Sequence, residues 1–304
     1  MSVLYAFENI RVPVLNELML LITRLGEETA FLVTALVVFW CVDKKKGYFI
    51  MSVGFITTMA NQVLKLIFRI PRPWVLDRNF TILEEAREAA TGYSFPSGHS
   101  QSAVGTFGGL AAVTKNRWVR GICIAIAVLV PFSRMYVGVH TPSDVMVGAG
   151  ISLILIGALR FMAVTDSVKA MKGVIVLMLV MACGFFAYAT FWNFPEDIDP
   201  HNLESAVKNA YTMMGCLVGI AVVYLAERRF VNFDTKAVWW AQILKAVLGL
   251  AAVLAVKEGL RKPLEMLMGD VLSARAVRYF LIVVTAGLLW PMTFRWFGKL
   301  GEKK

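Results

Sequence analysis

The sequence predicts an all-α, polytopic helical membrane protein with about nine transmembrane helices and an N-terminal interfacial helix. Three observations lead there. Of its 304 residues 58% are hydrophobic and 17% charged, with a mean hydropathy of +0.65, whereas soluble domains carry about 45–50% apolar and about 25% charged residues. The apolar residues come in blocks separated by short charged connectors, the pattern of helices that satisfy their backbone inside a bilayer. Lys and Arg collect at the ends of those blocks. A disulfide scaffold and a disordered chain are excluded: Cys41, Cys123, Cys183 and Cys216 fall one per block, as packing residues. The net charge of +10 contains no long basic tract, so no nucleic-acid partner is expected.

Candidate spans run Gly26–Val42, Tyr48–Phe68, Ser100–Thr114, Val119–Met135, Asp144–Met162, Gly173–Trp192, Ala210–Ala226, Ala237–Val256 and Arg278–Trp296. The third is short, at about 15 residues against about 20 for an untilted span. Before the first, Pro13 suits a first helical position. Val14, Leu15, Leu18, Leu21, Ile22 and Leu25 share a face opposite Asn16, Glu17 and Arg24, which predicts a helix lying in the interface. The start of the chain has neither a basic stretch nor a small-residue cleavage site, so no removable signal peptide is expected. This gives three segments: 1–25 as the interfacial helix, 26–192 as the membrane core, and 193–304 as additional spans.

One set of connectors holds Lys44–Lys46, Lys115, Arg117, Arg120, Arg160, Lys169, Lys172, Arg228, Arg229, Lys236 and the tail Arg295, Lys299, Lys303 and Lys304. These sixteen of 31 basic residues fall on one side of a nine-span layout, and the acidic loop Glu196–Glu204 falls on the other. The basic side is expected to be cytoplasmic. The amino terminus is then outside and the carboxyl terminus inside. The segment Lys257–Arg278 is placed outside despite five basic residues, which makes the last two spans the weakest in the layout.

Ionisable groups at membrane depth are costly, so three segments stand out. They are Lys65-x6-Arg72-Pro73, Pro96-Ser97-Gly98-His99, and Ser133-Arg134-x5-His140-x3-Asp144; in the nine-span layout all reach the same outer surface. Lys65, Arg72 and Arg134 offer cations for phosphate oxygens. Ser97-Gly98-His99 opens a helix, whose free N–H groups favour an anion. Gly98 lets the backbone come close. His140 and His99 supply a nucleophile or base and an acid, and Asp144, one turn beyond His140, can hold its imidazole. Each piece also has an ordinary reading. Lys65 and Arg72 suit snorkelling at a helix end, Thr141-x-x-Asp144 resembles a capping box, and Pro96-Ser97 is a common helix start. Their joint occurrence, in order and on one side, favours the phosphate site.

Together these segments match the three-part signature of the type 2 phosphatidic acid phosphatase (PAP2) superfamily, and the chain is identified as a member on the stretch Lys65 to Asp144. The resemblance implies a PAP2-like helical core and metal-independent hydrolysis of phosphomonoesters or diphosphates through a phosphohistidine, with no cofactor. It implies His140 as nucleophile, Asp144 as its orienter and His99 as general acid. Lys65, Arg72, Ser97, Gly98 and Arg134 are implied as phosphate binders. No other His, Cys or carboxylate grouping has metal-ligand spacing. Vanadium haloperoxidases share the signature but are soluble, against the apolar spans here. Glucose-6-phosphatase also resembles it in signature and nine-span layout. The expected substrate is a lipid phosphate met within membrane lipids: phosphatidic acid, phosphatidylglycerol phosphate or a polyprenyl diphosphate. Alternatives are a soluble sugar phosphate and a phospholipid-binding or transport protein without chemistry. A prokaryotic plasma membrane is the expected location.

Elsewhere the sequence says less. Trp74–Tyr93 mixes apolar and acidic residues and reads as an interfacial lid, or as a solvated connector. His201 reads as solvated. Lys245 lies mid-span, pairing with a carboxylate, marking a polar cavity or snorkelling. Lys257-x3-Arg261-x-Pro263 faintly echoes Lys65-x3-Arg69-x-Pro71 without its Arg-Pro.

Overall fold

A computed structural model describes residues 1–88 and 90–300, and these form helices, turns and loops without a strand. Lys303 and Lys304 of the basic tail lie outside the described residues. In chain order the helices are α1 (Ser2–Asn9), α2 (Pro13–Arg24), α3 (Glu28–Val37), α4 (Lys44–Phe68) and α5 (Gly98–Ala103). There follow α6 (Arg117–Tyr136), α7 (Pro142–Leu159), α8 (Val168–Phe191), α9 (Pro200–Ala226), α10 (Trp239–Gly259), α11 (Arg261–Met268) and α12 (Val271–Val284). Local chemistry sets their starts. Asn116 accepts from the N–H groups of Trp118 and Val119 to begin α6, Ser167 caps α8, and Asp270 caps α12. Each satisfies donors that a helix leaves free at its first turn.

Each predicted span corresponds to a helix, but the count of nine is not reached. Seven helices among the described residues are long and apolar enough to cross a membrane, or eight if the bent pair Pro13–Arg24 and Glu28–Val42 is one span. The predicted third span becomes α5, prolonged by a π turn at Val104–Gly108 and by Gly109–Val113, and it is too short to qualify. It is bounded by functional turns: Ser97 caps one end, and Thr114 leaves the helical region before Asn116 caps α6. Outward-facing side chains on the long helices are large and apolar, among them Ile122, Leu153, Ile154, Val176 and Val180. Apolar faces turned outward on helices of this length need lipid around them, and the protein is an integral membrane protein.

α2 and α3 meet at a 53° bend, and α2 packs on α6. Its apolar face (Val14, Leu18, Leu21, Leu25) is exposed, while Met19 and Thr23 are buried and Asn16 Oδ1 accepts from the Tyr136 hydroxyl at 2.8 Å. Leu15, Leu20 and Ile22 pack with Met19 against Tyr136, Val137 and Val139, while Glu17 and Arg24 stay exposed.

Two compact units interleave along the chain. The first comprises Met1–Thr34, Phe49–Thr165 and Asn193–Ala206; the second Ala35–Tyr48, Asp166–Trp192 and Val207–Lys304. In the first, the connector Trp74–Tyr93 is partly folded in: Phe80 and Ile82 are buried with Leu4, and Arg87 lies over the Trp74 ring. In the second, Gly249 lets Trp290 and Trp40 approach within 2.4 and 2.7 Å of where a Cβ would stand. The Trp40 indole donates to the Ala286 carbonyl at 2.8 Å. Lys245 is fully buried there; its ammonium donates to the Thr235 carbonyl at 2.9 Å and sits 4.5 Å from the Phe294 ring centre. It is held by a carbonyl and an aromatic face.

Candidate active site

All three sequence segments fall within the first unit, each delivered by a helix end. α4 brings Asn61 and Lys65 on successive turns and stops at Phe68. Arg69 then takes a left-handed conformation (φ 46°), which turns the chain into Pro71-Arg72-Pro73. Pro73 opens a short helix with Arg72 as its N-cap residue. Ser97 caps α5: its hydroxyl lies 2.9 Å from the Ser100 hydroxyl, and its N–H donates to the Asp144 carbonyl at 3.0 Å. That approach depends on Gly148, where an added Cβ would stand 2.7 Å from the Ser97 carbonyl oxygen. α6 ends at Tyr136, Gly138 reverses the chain at φ 88°, and His140 follows immediately before α7.

These elements close a cavity of about 130 Å³ lined by Asn61, Lys65, Arg72, Gly98, His99 and His140. Arg72 is held by four acceptors: the carbonyls of Gly92 (3.1 Å), Thr91 (2.7 Å) and Val139 (3.0 Å), and the His140 Nε2 at 2.8 Å. On the other side of the ring, His140 Nδ1 stands 3.5 Å from Asp144 Oδ2. That carboxylate oxygen also accepts from the Ser94 hydroxyl at 2.6 Å and the Thr141 N–H at 2.8 Å. With the Thr141 hydroxyl accepting from the Asp144 N–H, a complete capping box is present. The ordinary and functional readings of Thr141-x-x-Asp144 therefore coexist: the same carboxylate that starts α7 faces the imidazole. Burial, reinforced by the charges of Arg72, Arg134 and Lys65, holds the His140 imidazole well below the usual histidine range. The ring is neutral near pH 7, and a proton on Nδ1 towards Asp144 leaves the Nε2 lone pair on the Arg72 side.

Ser97, Arg134 and Asp144 do not line the cavity; they stand behind its wall, and all three are buried. Arg134 donates through Nη1 to the Thr23 hydroxyl at 2.8 Å. Its Nε and Nη2, and Nε2 of His99, have no hydrogen-bond partner among the described residues.

Several participants were not legible in the sequence. Ser94 is two residues before the Pro96-Ser97 motif, but nothing marks it as the hydroxyl that serves Asp144. Asn61 donates to the Pro96 carbonyl and the Gln101 side chain. Asn202, Ser205 and Ala206 line the cavity from the first turns of α9. A wider outer cavity of about 650 Å³ shares Arg72, Thr91, Gly92, Tyr93 and Asn202 with it. That outer space is bordered by Arg69 and Asp197, paired at 3.0 Å, and by the exposed His201.

The PAP2 superfamily matches residues 45–167, and the transmembrane extension of PAP2 superfamily phosphatases matches residues 211–303. An undecaprenyl-diphosphatase of Sulfolobus acidocaldarius is 33% identical over 139 residues, 45% of this chain and 66% of that protein, just under two thirds of its length. Phosphatidylglycerophosphatase B of Bacillus subtilis is 33% identical over 160 residues, 48% of this chain and 74% of that protein. The crystal structure of a transmembrane PAP2-type phosphatidylglycerolphosphate phosphatase from Bacillus subtilis covers 55% of this chain and 86% of its own, at 29% identity and a TM-score of 0.46. The matched region contains all three segments that build the cavity, and the identity extends over about three quarters of a curated phosphatase. The chain belongs to the PAP2 superfamily.

Proposed function

We propose that this protein is an integral membrane phosphatase that hydrolyses the phosphomonoester or diphosphate group of a lipid through a phosphohistidine. Phosphatidic acid, phosphatidylglycerol phosphate and polyprenyl diphosphate are the candidate substrates. The observation that carries the reading is the placement of His140. Its Nε2 faces a cavity walled by Lys65, Arg72 and His99, and its Nδ1 faces Asp144. The names of the relatives, which concern a polyprenyl diphosphate and a phosphatidylglycerophosphate, favour a lipid over a sugar phosphate.

In this reading the substrate phosphate takes over the Arg72 donor now on Nε2 and lies against Lys65 and the Gly98–His99 N–H groups. His140 Nε2 attacks phosphorus, the P–O bond to the leaving group breaks, and a proton from His99 goes to the departing oxygen. Water then attacks the phosphoryl group and gives its proton back to His99. The P–N bond breaks, releasing inorganic phosphate and neutral His140. Asp144 fixes the ring and stabilises the charge it gains. The cations and helix N–H groups offset the charge of a five-coordinate phosphorus.

The deciding assay is phosphate release by the purified protein in detergent, on a panel of lipid and sugar phosphates with EDTA present. Turnover of a lipid phosphate under EDTA, inhibited by vanadate, is the expected result. Dependence on an added divalent cation would exclude the mechanism, and turnover of sugar phosphates alone would exclude the lipid substrate.

We also propose a prokaryotic plasma membrane with the site outside and the carboxyl terminus in the cytoplasm. Lys44–Lys46 and Lys115–Arg120 bracket the site-bearing helices at their far ends, as cytoplasmic connectors do. Single cysteines at the exposed Asn79 and Asn116, in a cysteine-free background, test this with an impermeant thiol reagent on intact cells. Labelling at position 79 and protection at 116 is expected; the opposite pattern would reverse the topology.

A further inference from the structure

The bend between α2 and α3 touches the site at two of its least supported groups. Thr23 is 5% exposed and Arg134 0%, and the Thr23 hydroxyl accepts from Arg134 Nη1 at 2.8 Å. The other two guanidinium donors of Arg134 have no partner among the described residues. One turn later, Gly26 lies against the other motif: a Cβ there would stand 2.9 Å from the His99 carbonyl oxygen, 3.0 Å from His99 Cβ and 2.7 Å from Val130 Cγ1. Asn16 and Met19 continue the same stripe, meeting the Tyr136 hydroxyl and the cluster of Tyr136, Val137 and Val139. The spacing of Asn16, Met19, Thr23 and Gly26 keeps one face of α2 along the end of α6. That face carries Asn16, Thr23 and Gly26 beside the buried Met19, while Val14, Leu18, Leu21 and Leu25 face outward.

A buried guanidinium keeps a fixed direction only if its donors are held. Arg72 has four acceptors around it, whereas Arg134 has the Thr23 hydroxyl as its hydrogen-bond partner. Rotation of Arg134 away from the phosphate position is therefore opposed by a residue outside the matched region 45–167. At Gly26 the absence of a side chain lets the bend press on the backbone of His99, fixing how far α5 reaches into the cavity.

We infer that the Thr23–Gly26 bend is a positioning element of the catalytic centre: Thr23 fixes the Arg134 charge directly behind the phosphate cavity, and Gly26 sets the depth of His99. The inference rests on the phosphatase reading for its kinetic consequence. Neither residue touches substrate: Thr23 acts through the charge of Arg134 behind the cavity wall, and Gly26 through His99, which lines the cavity.

Three measurements test it. Thr23→Val keeps the shape and removes the hydroxyl, and is expected to lower kcat/KM about 10- to 100-fold, the worth of one hydrogen bond to a buried charge. Thr23→Ser, which restores the acceptor, is expected to stay within a few-fold of wild type. In an Arg134→Lys background, Thr23→Val is expected to cost less than about twofold, because its effect passes through the lost guanidinium. Vanadate binding, read as a thermal shift and needing no turnover, is expected to weaken in Thr23→Val and recover in Thr23→Ser. If Thr23→Val fails to accumulate folded, Thr23→Ala removes the same hydroxyl and adds no atoms, with the same criteria.

An equal loss in the wild-type and Arg134→Lys backgrounds would overturn the inference. So would a Thr23→Val protein that turns over and binds vanadate as wild type does. If the wild type releases no phosphate from any lipid, the phosphatase reading fails by itself, and the vanadate shift still decides whether Thr23 acts through Arg134. No vanadate shift in the wild type would overturn both.

Discussion

Replacing His140 with Ala is expected to reduce kcat/KM on lipid phosphate by at least about 10⁴-fold, which is about 5.5 kcal/mol at 1.36 kcal/mol per decade. The substitution deletes the atom that forms the P–N bond, and the other imidazole lining the cavity, His99, is placed to protonate the leaving group and has no carboxylate like Asp144 behind it to hold it for attack. Folding should survive, because the ring's partners keep other bonds: Arg72 retains three carbonyl acceptors, and Asp144 retains Ser94 and the Thr141 N–H. Asp144→Asn is expected to leave more activity than His140→Ala does. The amide oxygen can still accept from Thr141 and start α7, but it no longer stabilises the imidazolium. The measurement is phosphate release by purified variants of matched thermal stability. Near-normal turnover by His140→Ala would sink the proposed mechanism.

His99→Ala is expected to cost about 10²–10⁴-fold in kcat/KM on lipid phosphate, the usual worth of a positioned acid, and far less on p-nitrophenyl phosphate. A lipid alkoxide leaves poorly without a proton, whereas p-nitrophenolate leaves readily. His99 borders the cavity with Nε2 unpartnered among the described residues; burial and the charges of Arg134, Lys65 and Arg72 hold its imidazole well below the usual histidine range, so the negative charge of the bound phosphate is what lets it carry the proton it donates. His140→Ala, by contrast, should lose both substrates alike, because attack on phosphorus precedes departure of either group. Ratios of kcat/KM for the two substrates separate this from a binding defect. Equal fractional losses for His99→Ala on both would make His99 a phosphate binder instead of an acid.

How far the sequence reached is clearest residue by residue. Hydropathy located every long helix, because a bilayer enforces apolar length locally and each span can be judged without its neighbours. Gly98–Val113 corresponds to the shortest of the predicted spans, where Ser97 caps one end and Thr114 leaves the helical region at the other. Hydropathy named no partner for α2, because an amphipathic face has the same periodicity whether or not the helix also packs on a neighbour. Lys245 illustrates the same limit. A mid-span lysine is visible in the sequence, but the carbonyl of Thr235 and the ring of Phe294 that hold it are ten and more positions away.

By itself, the sequence determined the membrane-embedded helical class, the family signature, and the candidate chemistry of Lys65, Arg72, Ser97, Gly98, His99, Arg134, His140 and Asp144. Residue type and short spacing carry that information, since a phosphate site needs cations, free N–H groups and imidazoles at helix ends. Only the tertiary structure decided which of these share a cavity, that Ser97, Arg134 and Asp144 stand behind its wall, and that Ser94, Thr23, Gly26 and Asn202 belong to the same neighbourhood. Those partners lie up to 111 positions from the groups they serve. A serine hydroxyl or a glycine gap acquires meaning only from what packing brings within 3 Å of it, and no local pattern in the chain encodes that distance.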